Sequence, residues 1–331
     1  MTIEEMRPAN GAARLAIAIP AYGRAPAIAS SVAGMADEAR AERLDIVFYV
    51  SDDTPDASVE DALQPLIDAG VALRYRRNTP ALRHDRNLIA TLLWPDADYV
   101  WLLGSNYRVR PGYLGRAFGF LDKQDLLFVE EHAHDHRLIP ALHGQEARAL
   151  LCDRLWHQTM TGVTIYSRTV QSWLKARQNE VFIAPDFPQI SVMMGFASDR
   201  DASIGWLGEP CLEAAVGSTP SYWQARAIDV FVDNWAAAVS GFPAIVPPEH
   251  RADVIRSHSA RTNLFTTTKL TELRRSGQFR WSSIRRRHFL AAMHLPRWKI
   301  LAILALPIPI LKAGSATLGW VKTLLPRRVR T

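Results

Sequence analysis

Most residues in this sequence that could do chemistry lie in four polar turns, each directly after an apolar run. Arginine is frequent in and near these turns, and its planar guanidinium group donates paired hydrogen bonds to phosphate oxygens. Arginine-rich turns are also common on ordinary solvated surfaces, so composition alone does not indicate a binding site. The order and spacing of the turns along the chain are the further evidence. In chain order the turn residues are Pro20, Tyr22 and Arg24; Asp52 and Asp53; Arg77 and Asn78; and Ser105, Asn106 and Tyr107.

The apolar runs before these turns have the length of strands that are buried on both faces. They cover residues 15–19, 45–50, 71–75 and 99–103, and a fifth run covers 126–129. Helical patterns lie between them at 27–43, 59–69 and 82–93, the second with Ser58 as N-cap and Gly70 just past its end. These repeats predict an α/β fold with a mostly parallel sheet flanked by helices. Because such sheets bind ligands beyond the carboxyl ends of their strands, the four turns are expected to form one site.

Several common motifs are absent from the sequence. The first turn has one glycine where a dinucleotide-binding fingerprint needs three, and there is no P-loop, zinc-protease motif or serine-hydrolase elbow. The run 130–136 holds three alternating histidines, a pattern that can bind metal but is more often a solvated loop. Two cysteines, Cys152 and Cys211, cannot form a disulfide framework and favour a reducing, cytoplasmic compartment.

Charge is distributed unevenly along the 331 residues. Residues 251–331 contain 17 Lys and Arg but two acidic residues, a net charge of +15, whereas residues 1–250 carry −9. Prolines at 243, 247 and 248 mark the boundary. We therefore expect a main domain at 1–250, with a further strand at 162–167 and an amphipathic helix at 222–239. A basic, partly apolar helical extension is expected at 251–331.

The extension favours an anionic membrane surface as partner, and nucleic acid is the weaker alternative. Its basic residues lie beside Trp298, Trp320 and leucine-rich segments, a composition typical of helices that lie among lipid headgroups. The uncharged stretch 300–311 has 12 residues. Crossing a bilayer takes about 20 residues, so a peripheral position is expected. A solvated basic helix that packs on the main domain is the alternative.

Four segments, in order and at matching spacing, resemble bacterial family 2 glycosyltransferases with the Rossmann-like GT-A fold. The run that ends in Pro20-Ala-Tyr-Gly-Arg24 resembles the strand-one motif of that family, and Ser51-Asp-Asp-Thr-Pro-Asp56 resembles its Ser-Asp-Asn-Gly-Ser-x-Asp turn. Arg77-Asn78 followed by His84-Asp-Arg-Asn87 is similar to a segment of the abequosyltransferase-like subgroup. The run 99–104 resembles the strand that leads into the metal motif. The resemblance covers residues 14–125 well and 126–240 in outline.

The resemblance implies an inverting glycosyltransferase that uses a nucleotide-sugar donor in bacterial surface polysaccharide synthesis. An acceptor hydroxyl would displace the nucleoside diphosphate, a step that needs a general base and charge stabilisation of the leaving group. The glycan acceptor is expected to be lipid-linked, with the basic extension holding the enzyme on the cytoplasmic face of the membrane. By the same resemblance Asp52 would contact the base or ribose, Pro20, Tyr22 and Arg24 would line that pocket, and Asp85 and Arg86 would lie beside the diphosphate.

The sequence departs from the family at the metal ligands. The family carries Asp-x-Asp directly after the strand-four glycine, and those carboxylates hold Mg²⁺ or Mn²⁺ against the diphosphate. Here Gly104 is followed by Ser105-Asn106-Tyr107, which offers a hard cation only neutral oxygens. We therefore expect no metal cofactor. The arginines that would replace the metal are Arg24, Arg76, Arg77, Arg83, Arg86, Arg108 and Arg110.

Two hypotheses follow from this departure. In the first, arginines take over the work of the metal in an active transferase. In the second, the domain is a catalytically inactive binder of nucleotide sugars or glycans, or a scaffold. We favour the first because the rest of the phosphate-side pattern is present. For the general base, Asp186 is the first candidate, and Glu130 and Glu131 at the end of the fifth strand are the second; a structural role is the alternative for each.

Overall fold

A computed structural model describes residues 13–131, 137–177, 179–216, 222–309 and 311. The strands are β1 (Ala13–Ala21), β2 (Ile46–Asp52), β3 (Leu73–Arg77), β4 (Ala97–Leu102), β5 (Tyr107–Val109), β6 (Leu126–Glu130), β7 (Leu138–Leu142), β8 (Thr164–Ser167), β9 (Ile204–Pro210) and β10 (Leu212–Ala214). The α-helices are α1 (Ala25–Glu42), α2 (Ser58–Asp68), α3 (His84–Leu93), α4 (Leu114–Phe120), α5 (Gly144–Arg154), α6 (Arg168–Arg177), α7 (Pro188–Asp199), α8 (Trp235–Ser240), α9 (Arg251–Arg261), α10 (Thr267–Arg275), α11 (Phe289–Ala292) and α12 (Arg297–Ala305).

Eight strands form one sheet in the order β3-β2-β1-β4-β8-β6-β9-β7. The first four are mutually parallel, β8 runs antiparallel between β4 and β6, and β9 is parallel to β6. β5 and β10 form a separate antiparallel pair. The predicted α/β class, with a mostly parallel sheet flanked by helices, is confirmed.

Strand β1 shows why the apolar runs form a sheet that is covered on both sides. Successive side chains of a strand point to opposite faces. Leu15, Ile17 and Ile19 belong to the apolar cluster that includes α1, α2 and α4, whereas Ala16 and Ala18 belong to the cluster on the other face, which includes α3 and α7. An uninterrupted apolar run is what burial on both faces requires. The sequence signal and the layered fold therefore have the same cause.

Two local expectations were wrong. The single helix predicted at 222–239 is a 3₁₀ turn (Tyr222–Arg226), a π-helix (Asp229–Asn234) and then α8, because apolar spacing reports the buried face and not the hydrogen-bond pattern. Helix α2 begins at Ser58 with Ala57 as N-cap, and the Asp56 carboxylate accepts the Ser58 amide at 3.0 Å. Ser58 therefore does not cap the helix.

The described part of the basic extension packs on the main domain. The Trp235 indole donates to the Ile255 carbonyl of α9 at 3.0 Å, and Arg286 pairs with Asp229 at 2.7 Å. Phe279 and Phe289 are fully buried in the same apolar cluster as α7 and α8. Among the described residues, no helix is long and apolar enough to cross a membrane.

His258 on α9 gives this packing a dependence on pH. Its ring stacks on Phe231 at 4.6 Å between centroids, and its Nε2 lies 3.3 Å from Thr159 Oγ1. Burial lowers the pKa of His258 to about 3 from the ordinary 6.5. Below pH 6.5 the His258 side chain is therefore protonated in the unfolded chain but not in the folded chain. The free energy of unfolding decreases by up to about 1.4 kcal/mol for each unit by which the pH is lowered.

We expect His258→Gln to reduce this loss of stability between pH 7 and pH 5. The measurement is urea unfolding of wild type and variant at several pH values, comparing the slope of unfolding free energy against pH. His250→Gln, at an exposed position, is the matched control and should keep the wild-type slope. Equal slopes for wild type and His258→Gln would contradict the assignment.

Candidate functional site

The turns after β1 and β4 meet where the chain order of the sheet reverses. β1 pairs with β2 on one side and with β4 on the other, and open α/β sheets bind ligands beyond the strand ends at such a point. We call the space between these two turns the crevice. Across it the Arg24 guanidinium donates to Ser105 Oγ at 3.3 Å. Arg24 is half-buried with a left-handed backbone (φ 60°), and burial lowers its pKa. A guanidinium stays protonated even so, because its pKa is normally above 12. The crevice thus contains a fixed positive charge.

Asp52 links the turn after β2 to strand β3 and, through Thr54, to the turn after β1. Its Oδ1 accepts the Thr54 amide at 2.8 Å and its Oδ2 accepts the Tyr75 hydroxyl at 2.8 Å. Thr54 Oγ1 in turn accepts the Gly23 amide at 2.7 Å. Burial, with the hydrogen bond to Asp52 second, raises the pKa of Tyr75 to about 12. Asp52 is fully buried, so it positions the turns, whereas Tyr22 beside it is 70% exposed.

A second buried network fixes the start of α3 against the sheet. Asp53 Oδ1 accepts Asn78 Nδ2 at 2.8 Å and the Leu82 amide at 3.0 Å. Ser51 Oγ donates to Asn87 Oδ1 at 2.8 Å, and Asn87 Nδ2 donates to the Ser51 carbonyl at 3.0 Å. The first turn of α3 is therefore held at the same edge as the crevice. The N-terminus of a helix attracts anions through its free amides and its dipole.

The seven candidate arginines divide into two groups. Arg24 lies in the crevice, and Arg83 and Arg86 are exposed at the start of α3. The other four have partners within the protein. Arg76 donates from Nε to Ser51 Oγ at 3.0 Å, within the network that holds α3, and stacks on Trp94 at 4.4 Å. Arg77 pairs with Glu60 of α2 at 3.0 Å, Arg108 pairs with Glu213 at 2.6 Å, and Arg110 donates to the Leu212 carbonyl at 2.9 Å.

Asp186 lies against the start of α3 although it is 101 residues away in the chain. Its amide donates to Asp85 Oδ2 at 3.2 Å. Its Oδ2 accepts Asn234 Nδ2 at 2.6 Å, and its Oδ1 lies 3.5 Å from Arg226. Its backbone is left-handed (φ 64°), a conformation that costs energy for most residues and clusters at functional sites. The structure therefore brings Asp186 and Asp85 together at the start of α3.

Glu130 and Glu131, the other two base candidates, have different surroundings. Glu130 is fully buried, and its Oε2 lies 3.0 Å from His157 Nε2, which is also buried. Glu131 is partly exposed. Burial, and secondly the charge of Glu131, raises the pKa of Tyr107, whose hydroxyl lies 3.8 Å from Met160 Sδ. Of the two, only Glu131 reaches solvent.

The residues after Gly104 do not fit a divalent metal. Ser105 and Asn106 present neutral oxygens, and Ser105 Oγ accepts a hydrogen bond from the Arg24 guanidinium, which is itself a cation. Within the described residues no group of three His, Cys, Asp or Glu side chains could hold a metal ion. His132, His134 and His136 lie outside the described residues.

A groove of about 890 Å³ lies between α5, α9 and residues 244–247, apart from this site. Its lining combines Arg148 and Arg261 with Asp153, Asp253 and apolar side chains. None of the strand-end residues contributes to it. The groove is therefore separate from the crevice between β1 and β4.

Solved structures with the same arrangement of sheet and helices exist at low sequence identity. TarS 1-349 from S. aureus, in complex with UDP-GlcNAc, matches with a TM-score of 0.53 and 12% identity over 90% of this chain and 83% of that one. The chain has a GT-A-like fold. The mannosyltransferase PcManGT from Pyrobaculum calidifontis, in complex with GDP-Man and Mn²⁺, matches this GT-A-like chain with a TM-score of 0.50 and 13% identity, over 97% and 93% of the two chains. No protein-family model matches the sequence, and no curated protein sequence does.

Sequence reasoning missed the side chains that hold Asp186. Asn234 comes from the π-helix and Arg226 from the 3₁₀ turn before it, inside a segment predicted as one regular helix. Nothing in the local pattern marks either residue. Asn87, by contrast, lies in the segment that resembles the abequosyltransferase-like subgroup. That resemblance could have indicated a structural role for Asn87, which hydrogen-bonds with Ser51.

Proposed function

We propose that this GT-A-like protein is an inverting, metal-independent glycosyltransferase that moves a sugar from a nucleotide-sugar donor to a glycan acceptor. The observation that carries the proposal is the contact between Arg24 and Ser105 at the switch point of the sheet. In this proposal the Arg24 guanidinium does the work of the metal ion that the family resembled by the sequence holds with carboxylates after the strand-four glycine. The donor diphosphate lies between Arg24 and the start of α3, where Arg83 and Arg86 are exposed.

The chemistry follows from the charges at this edge. The acceptor hydroxyl oxygen forms a bond to the anomeric carbon while the bond from that carbon to the diphosphate oxygen breaks. The leaving nucleoside diphosphate takes the electron pair, and the arginines stabilise its charge. Asp186 takes the hydroxyl proton on Oδ1, because Oδ2 already accepts a hydrogen bond from Asn234 at 2.6 Å. Arg226, half-exposed beside Oδ1, moves aside when the acceptor binds.

We further propose membership of family 2 and its abequosyltransferase-like subgroup, on the strength of the four ordered motifs. A role in bacterial surface polysaccharide synthesis, with a lipid-linked acceptor at the cytoplasmic face of the membrane, belongs to the same proposal. It is supported by the net charge of +15 on residues 251–331, which suits an anionic lipid surface.

Calorimetric titration with UDP, GDP, dTDP and CDP tests the proposed donor site. We expect one nucleotide to bind in excess EDTA with an affinity that added Mn²⁺ changes less than about threefold, because guanidinium groups replace the metal. Binding that requires Mn²⁺ would overturn metal independence.

The catalytically inactive binder remains the second candidate, and the pairing of Asp186 with both Asn234 and Arg226 is the observation that favours it. Nucleotide binding without transfer to any lipid-linked glycan would support it. Hydrolysis or transfer of the donor sugar would exclude it. If no nucleotide binds, either in EDTA or with Mn²⁺, neither the transferase nor the inactive nucleotide-sugar binder is supported.

A further inference from the structure

Helix α12 presents an apolar face to solvent. Ile300, Ile303 and Leu304 are buried on its inner side, whereas Trp298 is 66% exposed and Leu301 45% exposed. A helix on the surface of a protein in water normally has a polar outer face. Here each exposed position from 298 to 309 is apolar: Trp298, Leu301, Ala302, Ala305, Leu306, Pro307 and Pro309. We call Trp298, Leu301, Ala302, Ala305 and Leu306 the α12 face.

The orientation of this face is fixed by the rest of the extension. Arg274 of α10 donates from Nη2 to the Leu304 carbonyl at 3.2 Å and from Nη1 to the Phe279 carbonyl at 3.5 Å. Ile300 and Ile303 belong to the main apolar cluster. One side of the helix is therefore packed on the protein, and this packing determines which side chains face outward.

Basic side chains accompany the α12 face. Arg297 is exposed at its start, and the Lys299 ammonium lies 5.5 Å from the centre of the Trp298 ring. Earlier in the extension Arg285 and Arg287 are exposed, whereas Arg274 and Arg286 are engaged within the protein. Tryptophan and leucine with lysine and arginine at the edge is the composition of helices that lie in a bilayer interface.

We infer that the α12 face inserts into the headgroup region of an anionic lipid bilayer, with Arg297 and Lys299 at the level of the lipid phosphates. A nucleic-acid-binding surface would be basic without exposed leucine side chains. A surface for a neutral protein partner would not need the positive charge. The helix has nine residues, so it lies in the interface and does not cross. The proposed function locates the protein at the membrane, and this inference names the α12 face as the surface that makes the contact. Membrane binding by this face does not depend on sugar transfer.

Vesicle flotation of the full-length protein tests the inference. The probes are vesicles of phosphatidylcholine alone and of phosphatidylcholine mixed with phosphatidylglycerol. We expect wild type to bind the mixed vesicles, more weakly as salt is raised, and to leave neutral vesicles largely unbound. The double variant Trp298→Glu, Leu301→Glu should bind the mixed vesicles at least about tenfold more weakly, because two anchors lose their apolar contact and gain repulsion.

Leu138→Glu is the control for position, since Leu138 is 49% exposed on the edge strand β7 and its substitution adds one of the same negative charges at a site far from α12 in the chain. It should bind vesicles like wild type. Undiminished binding by the double variant, equal loss in Leu138→Glu, or no vesicle binding by wild type would each overturn the inference. A wild-type dimer that the double variant loses, without vesicle binding, would assign the face to a second copy of the chain instead. Nucleotide titration of the same variants reports separately on the donor site, so failure of vesicle binding is distinguishable from failure of the proposed function.

Discussion

If the proposed function holds, the Asp186→Asn variant is expected to bind the donor nucleotide normally and to transfer sugar about a thousandfold more slowly. Removal of a general base typically costs a factor of about 10² to 10⁴ in rate. The substitution suits the site, because asparagine keeps the shape of the side chain and tolerates the left-handed backbone at φ 64°. The measurements are kcat with saturating donor and acceptor, and nucleotide affinity by calorimetry. The loss should appear in kcat and not in nucleotide affinity.

The rival carboxylates provide the controls for this experiment. Glu131→Gln should keep most of the wild-type kcat, since Asp186 and not Glu131 contacts the start of α3. Glu130→Gln removes the charge from a buried pair with His157, so its effect should appear in the free energy of unfolding. A large loss of kcat in Glu131→Gln, with activity retained in Asp186→Asn, would move the base to the end of β6.

Arg24→Gln is expected to weaken binding of the preferred nucleoside diphosphate about 30-fold in excess EDTA. A hydrogen bond to a charged partner contributes about 1.5–3 kcal/mol, roughly 10- to 150-fold in affinity. Arg24 is the arginine that contacts Ser105 across the crevice, so in the proposed function its removal takes a cation away from the diphosphate. Isothermal titration of wild type and variant gives the ratio directly.

Arg168→Gln is the matched control for Arg24→Gln. Arg168 also forms a contact across neighbouring strands, pairing with Asp96 at 2.8 Å, but Asp96 lies just before β4 and so at the opposite edge of the sheet. Its removal should leave nucleotide affinity unchanged. If Arg24→Gln also binds like wild type, the diphosphate is not held at the switch point, and the metal-independent mechanism loses its main support.

Local sequence predicted the part of the fold that depends on local physics. The apolar runs before Pro20, Asp52 and Gly104 form β1, β2 and β4 because a strand buried on both faces must be apolar at every position. The polar turns after them meet at one edge because parallel strands end together. The prediction that Arg24 and Ser105 lie in one site rests on that rule, and the two side chains are 3.3 Å apart.

Tertiary structure decided which partner each candidate side chain has. Arg77 and Arg24 look alike in sequence, yet Arg77 pairs with Glu60 of the neighbouring helix while Arg24 lies in the crevice. Asp186 reaches the start of α3 across 101 residues, and a π-helix that periodicity does not reveal supplies its partner Asn234. Periodicity records how deeply each residue is buried, whereas pairing between distant side chains is settled only when helices and strands pack. The sequence by itself therefore determined the layered sheet and the edge that carries the site, and packing determined the residues that form it.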